Sequence, residues 1–139
     1  MLLRLPLCIL LIAASHCCFA QDITGTWHGF QVSRDNGQYK EYRVTIDFKV
    51  TDDNVTGTMH LKSPLKGIIT SSFSGKLDKK ESTVYLREDG IITEGIEAKD
   101  ARLCSYELKV RKNMLKGKGR SRFKGYDHLT LRLQRGEKY

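Results

Sequence analysis

The stretch Ile23-Thr-Gly-Thr-Trp-His-Gly29 stands between an apolar leader and a long series of short segments in which apolar and polar residues alternate. A Gly-x-Trp motif, here Gly25-Thr-Trp27, at the start of such a series predicts a small closed β-barrel. The motif indicates the fold, and the apolar leader before it indicates the cellular compartment. No cluster of residues in the sequence identifies a ligand or a reaction.

The first 20 residues have the features of a signal peptide. Arg4 supplies a positive charge, residues 5–14 are apolar, and Cys18-Phe-Ala20 places small residues at the positions that a signal peptidase recognises. An apolar stretch of this length is too short for a membrane-spanning helix, which needs about 20 residues. His16 before Cys17 is a poor match to a lipobox, which disfavours a lipid anchor at Cys17 or Cys18. We expect cleavage near Ala20 and a periplasmic or extracellular protein with no transmembrane segment in the mature chain.

The mature chain, residues 21–139, is basic and has one cysteine. Loss of Arg4 from 24 basic residues leaves 23 against 16 acidic ones, a net charge of +7 on 119 residues. That length predicts one domain with one modest core. Cys104 is the only cysteine left, so no internal disulfide can form. These features fit an exported protein of a bacterial envelope that is stabilised by a hydrogen-bonded barrel.

Alternation with a period of two runs through the mature chain. Residues 42–50 and 55–61 flank the turn residues Asp52-Asp53-Asn54, and residues 104–110 and 114–119 flank Lys112-Asn113. Each pair predicts a hairpin with one buried and one solvated face. No stretch after residue 21 has a sustained helical period.

The remaining segments predict further strands and turns. We expect strands at about 67–77, 83–87, 91–98 and 128–133, with turns at Asp78–Glu81 and Glu88–Gly90. Eight strands of about 10 residues with seven turns of about 4 need roughly 108 residues. The prediction is therefore an all-β, single up-and-down antiparallel β-barrel of about eight strands. A two-sheet β-sandwich is the alternative, because periodicity does not show whether the edges meet.

These motifs give the chain a resemblance to a known group of barrels. Gly25-Thr-Trp27, the meander of hairpins, Val55-Thr-Gly-Thr58 and Leu131-Arg-Leu-Gln-Arg135 resemble the calycins, which include lipocalins and avidin-like proteins, and especially short bacterial secreted lipocalin-like proteins. The resemblance implies that Trp27 plugs the base of the barrel beside Gly25. It also implies that a basic side chain of the last strand, Arg132 or Arg135, packs over that ring. The chain departs from true lipocalins in its short length and lack of paired cysteines, so no family ligand can be transferred.

The leading functional prediction is an exported, non-enzymatic binding protein whose barrel holds a small apolar or amphipathic molecule. Bulky residues on the buried faces are the candidate lining of the ligand site: Phe48, Met59, Phe73 and Leu108. Small residues on the same faces, Gly57, Ser71, Gly75 and Gly117, leave room for a cavity. The same bulky residues could instead fill a narrow barrel. No cofactor is indicated.

A run of cations in the second half of the chain indicates a different partner. Five basic residues at alternate positions form what we call the basic stripe: Lys116, Lys118, Arg120, Arg122 and Lys124. On a strand they would share one face, and we expect that face to be the solvated outside. The alternative function is therefore an envelope interaction module that binds an acidic glycan or a partner protein through its basic outer face. Nucleic acid is disfavoured because few aromatic residues accompany the cations.

The sequence shows no pattern of catalysis or metal binding. His28, His60 and His128 lie far apart and match no zinc-ligand spacing, and alternation makes Cys104 a buried, inert thiol. A group of acidic residues lacks the spacing of a calcium loop and is expected to be solvated: Glu88, Asp89, Glu94, Glu97 and Asp100. We therefore expect no catalytic residues, no metal site and no enzymatic activity.

Overall fold

The computed structural model describes residues 22–35, 37–64, 67–93, 103–121 and 129–136. Within them the chain forms a closed barrel of eight antiparallel strands in sequence order. The strands are β1 (Gly25–Asp35), β2 (Gln38–Thr51), β3 (Asn54–Ser63), β4 (Gly67–Asp78), β5 (Thr83–Ile91), β6 (Cys104–Arg111), β7 (Met114–Ser121) and β8 (Leu129–Arg135). The prediction of an all-β, up-and-down barrel is confirmed, and the sandwich alternative is wrong because β1 pairs with β8.

Alternation of side chains decides which face of each strand is buried. β6 is the clearest case, since every second residue from Cys104 to Val110 is buried and the residues between them are exposed. Because successive side chains of a strand point to opposite faces, this pattern turns one face of the closed sheet into the core. The core holds Trp27, Ile46, Leu108 and Leu131, each fully buried.

The strand from Thr83 differs from its prediction. Residues 88–90, expected to form a turn, continue β5 to Ile91, with Gly90 opposite Ser72 and Glu88 opposite Phe73. The register shifts between Ser72 and Phe73, which is a bulge that accommodates an extra residue in the ladder. Pairing with β4 thus overrides the local turn preference of Glu-Asp-Gly. Of the strand expected over 91–98, Ile91 ends β5, and residues 94–98 lie outside the described residues.

The two ends of the barrel are connected differently. Short turns at 52–53, 79–82 and 112–113 join strands at the end where β1 begins and β8 ends, which we call the tryptophan end because Trp27 lies there. The other end, which we call the polar end for reasons given below, carries the connections 36–37, 64–66, 92–103 and 122–128. The two longest connections, 92–103 and 122–128, therefore both lie at the polar end.

Two positions of β1 require glycine, one for its backbone conformation and one for the closure of the barrel. Gly25 has a φ of +116°, which a side chain would strain. A Cβ at Gly29 would lie 1.8 Å from the carbonyl oxygen of Arg132 on β8. Only a residue without a side chain allows β1 and β8 to approach this closely.

Candidate functional site

Trp27 packs inside the tryptophan end. Its ring is fully buried, and its Nε1–H donates a hydrogen bond of 2.8 Å to the carbonyl oxygen of Ile23. The ring of Phe48 lies edge-on to it at 6.4 Å between centroids, and Phe73 follows at 5.4 Å from Phe48. Such edge-to-face pairs are a favoured aromatic geometry. Aromatic side chains therefore occupy this part of the interior.

Arg135, rather than Arg132, packs over Trp27. The guanidinium carbon of Arg135 lies 4.8 Å from the centroid of the Trp27 ring, a cation–π contact. Arg132 is exposed and lies opposite Phe30, so its assignment to the barrel base is wrong. The reason is that successive side chains of a strand point to opposite faces. Arg135 lies on the same inward face of β8 as Leu131 and Leu133, whereas Arg132 lies on the outward face.

Arg135 also fastens the segment before β1. It donates a hydrogen bond to the backbone carbonyl oxygen of Asp22. Hydrogen bonds from Thr24, and then the positive charge of Arg135, lower the pKa of the Asp22 carboxyl below its ordinary value. Both chain ends of the barrel are thus held together beside Trp27.

The four predicted lining residues are all buried: Phe48, Met59, Phe73 and Leu108. The Phe73 ring occupies the space beside Gly57, since a Cβ there would lie 2.8 Å from the end of that ring. The room expected at Gly57 is therefore filled by protein. A ligand-lining role of these four residues stays a prediction.

The polar end contains a hydrogen-bonded network that crosses four strands inside the barrel. Gln31 Nε2 donates to the Tyr106 hydroxyl at 2.5 Å, and that hydroxyl is also hydrogen bonded to the Cys104 side chain. Glu88 accepts two hydrogen bonds of 2.6 Å, one from the Ser71 hydroxyl and one from the Cys104 backbone N–H. All five residues are buried. Buried polar groups are costly unless they are paired in this way.

Burial fixes the protonation state of Tyr106. Loss of solvent raises the pKa of its hydroxyl well above the ordinary value, and the negative charge of Glu88 raises it further. The phenol is therefore neutral at neutral pH. Gly119 makes room for the ring, since a Cβ on that residue would lie 2.6 Å from it.

Ser33 is the exception in this polar region. It is 2% exposed, and its Oγ is the one buried side-chain polar atom among the described residues that has no hydrogen-bond partner. It shares the inward face of β1 with Trp27 and Gln31. A polar ligand group in the barrel would find a hydroxyl here that can both donate and accept.

The sequence prediction missed this network. It treated Glu88 as solvated, whereas Glu88 is 6% exposed and points inward, so that prediction is wrong for Glu88. Asp89 is exposed as expected, and Glu94, Glu97 and Asp100 lie outside the described residues. The sequence did contain a signal for the network. Gln31 and Ser33 are separated from Trp27 by even numbers of residues along one strand, so their side chains point to the same inward face.

The basic stripe lies on the outside of β7 as far as the structure describes it. Lys116, Lys118 and Arg120 are exposed, whereas Arg122 and Lys124 lie outside the described residues. Glu107 of β6 lies directly opposite Lys118. A role of the stripe in binding polyanions stays a prediction.

The described histidines and the cysteine lie apart from one another. His60 contacts the carboxylate of Asp47 at 3.3 Å and the hydroxyl of Thr70 at 2.9 Å on the outer face, and His28 contacts Thr45 at 3.1 Å. Cys104 is buried and forms no disulfide. Among the described residues, no three His, Cys, Asp or Glu side chains are grouped so that they could hold a metal ion.

The described residues define a small closed antiparallel β-barrel with an aromatic plug at one end and a buried polar network toward the other. No family model matches the chain, and no curated protein matches it. A solved structure, that of Rv2717c from M. tuberculosis, is similar, with 14% sequence identity and a TM-score of 0.50. The match covers 82% of this chain and 92% of that one. At this identity the similarity supports the barrel fold alone.

No helix in the described part of the chain is long and apolar enough to span a membrane.

Proposed function

We propose that this protein is a lipocalin-like, non-enzymatic binding protein that holds a small amphipathic molecule in the polar end of its barrel. We further propose that it is exported after cleavage near Ala20. The observation that carries the binding proposal is the unpartnered Ser33 hydroxyl, buried beside a network of paired polar side chains. A hydroxyl buried without a partner costs about 1–3 kcal/mol. A ligand that hydrogen bonds to it would remove this cost.

The surroundings of Ser33 suggest the chemistry of the ligand. Leu129 lies opposite Ser33 across the β1–β8 ladder, and Leu131 lies opposite Gln31. Apolar side chains therefore flank the polar ones, as in many small-molecule sites. This arrangement suits an apolar body with one neutral hydrogen-bonding group directed at Ser33.

Entry at the polar end is the simplest route for such a ligand. Trp27, Phe48 and Phe73 fill the interior at the tryptophan end, and Arg135 covers it. The polar end carries the two longest connections between strands. We propose that the ligand enters there and stops above the aromatic plug.

The test is native mass spectrometry of the protein purified from cells that express the full chain. We expect one bound small molecule per protein, which denaturation and extraction then identify. Ser33→Ala should lose most of the bound molecule. Thr130→Ala, which removes an exposed hydroxyl from the neighbouring strand, should keep it.

Two results would overturn the proposal. One is a wild-type mass without any bound molecule after purification from the native host. The other is equal occupancy in the wild-type protein and the Ser33→Ala variant, since the ligand would then not depend on the hydroxyl.

A further inference from the structure

We infer that a belt of cations on the outside of the barrel binds a linear acidic polysaccharide. The belt consists of one outward-facing residue from each of six adjacent strands: Lys109, Lys116, Arg132, Phe30, Arg43 and Lys62. Each member lies directly opposite the next across a strand ladder. All six are exposed. The belt thus places five positive charges in one continuous row.

The belt winds around the barrel as a helix. Neighbouring strands lie about 4.8 Å apart, so the six positions extend over about 24 Å of surface. The row continues from Lys62 to Ile68 on β4 and, in the other direction, from Lys109 through Thr83 to Asp78, also on β4. Asp78 is ten residues beyond Ile68, and this stagger is the shear of the barrel. A row of paired residues therefore moves along the barrel axis as it passes around the barrel.

None of the belt cations forms an ion pair with another described residue. Like charges face each other at Lys109 and Lys116, at Lys116 and Arg132, and at Arg43 and Lys62. Such cross-strand pairs are destabilising. The ion pairs among the described residues lie elsewhere. Lys109 Nζ donates instead to the Thr83 hydroxyl at 2.8 Å. A polyanion would neutralise the row and remove the repulsion.

The curvature of the belt favours a linear polymer over a membrane. The belt occupies six of the eight strands, so a flat surface can meet only part of it at one time. A flexible chain can follow the whole row. Single-stranded nucleic acids are bound with aromatic side chains that stack on successive bases, and the belt carries one aromatic residue, Phe30, which is 37% exposed. An acidic polysaccharide needs the cations and can pack one sugar ring on Phe30.

The belt is distinct from the basic stripe, although they share Lys116. The stripe runs along β7, and Glu107 lies opposite its residue Lys118. The belt runs across the strands, and Arg43 and Arg132 flank Phe30 at its centre. Variants of these two arginines therefore separate the belt from the stripe.

The experiment measures binding of the full purified protein to polygalacturonate at several salt concentrations. Three double variants carry the same change in charge. Arg43→Glu with Arg132→Glu alters the belt, Lys118→Glu with Arg120→Glu alters the stripe, and Lys49→Glu with Lys80→Glu alters exposed lysines outside both. We expect the belt variant to lose about tenfold or more in affinity and the other two about threefold or less. We also expect a weaker salt dependence for the belt variant, because fewer counterions are released.

Equal losses in all three variants would show that only net charge matters, and they would overturn the inference. So would a wild-type protein that does not bind polygalacturonate. Tighter binding to a single-stranded oligonucleotide, or to vesicles with anionic lipid, would assign the belt to that partner instead. If a glutamate variant does not fold by circular dichroism, the corresponding glutamine pairs at the belt and control positions provide the same comparison.

Discussion

The two ends of the barrel interior are built from the same strands but with opposite chemistry. Along the inward face of β1 an indole, Trp27, is followed by an amide and a hydroxyl, those of Gln31 and Ser33. The same change occurs on β4, where Phe73 and then Ser71 point inward toward the polar end. A barrel that needed only a filled core would be apolar throughout, because buried polar groups add cost. The difference indicates that the tryptophan end provides stability, and it supports our proposal that the polar end provides recognition.

The strongest test of the tryptophan end is Trp27→Ala. Truncation of a fully buried indole should lower the free energy of unfolding by about 3–5 kcal/mol, because a large cavity remains between Phe48 and Arg135. Urea unfolding followed by circular dichroism measures it, since the substitution removes the single tryptophan and its fluorescence. Tyr39→Ala, at an aromatic residue that is 74% exposed, is the control and should cost far less. A Trp27→Ala loss below about 1 kcal/mol would contradict the plug.

At the polar end, Glu88→Ala should have the next largest effect. It leaves the Ser71 hydroxyl and the Cys104 backbone N–H without their acceptor, which should cost about 2–3 kcal/mol in urea unfolding. The adjacent Asp89 is exposed and accepts one hydrogen bond from Ser74, so Asp89→Ala should cost about 0.5 kcal/mol or less. Similar losses for the two variants would show that the network does not stabilise the polar end.

Period-two alternation was enough to predict the strands and their buried faces, because one face of a closed sheet is always the core. It was not enough at Glu88, where pairing with β4 and a bulge extend a strand through residues that favour a turn. The choice between Arg132 and Arg135 could have been made from the sequence, because Arg135 continues the alternation of Leu131 and Leu133 and Arg132 does not. The cationic belt could not be predicted at all, since its members are far apart in sequence and meet only through the register of five ladders.

Arg135 and Arg132 provide a smaller test at the tryptophan end. Arg135→Ala removes the contact with the Trp27 ring and the hydrogen bond to Asp22, so we expect a loss of about 1 kcal/mol. Arg132→Ala removes an exposed side chain from the same strand and should change stability by about 0.5 kcal/mol or less. Thermal unfolding of both variants at equal ionic strength measures the difference. The reverse order would mean that Arg132 covers the ring.

The smallest effect is expected at Ser33, and the sign of its change in stability tests whether the polar end has an open hydrogen-bonding group. In ligand-free protein, Ser33→Ala removes a buried hydroxyl that has no partner, so stability should stay unchanged or rise by up to about 1 kcal/mol. Ser71→Ala removes a hydroxyl that donates to Glu88 at 2.6 Å, so it should cost about 1–2 kcal/mol. The same substitution thus has opposite consequences at two buried serines of the polar end, because one hydroxyl is committed to the fold and the other is not. A loss at Ser33 as large as that at Ser71, measured in urea with ligand removed, would mean that the Ser33 hydroxyl is already paired. The polar end would then offer no open hydrogen-bonding group to a ligand.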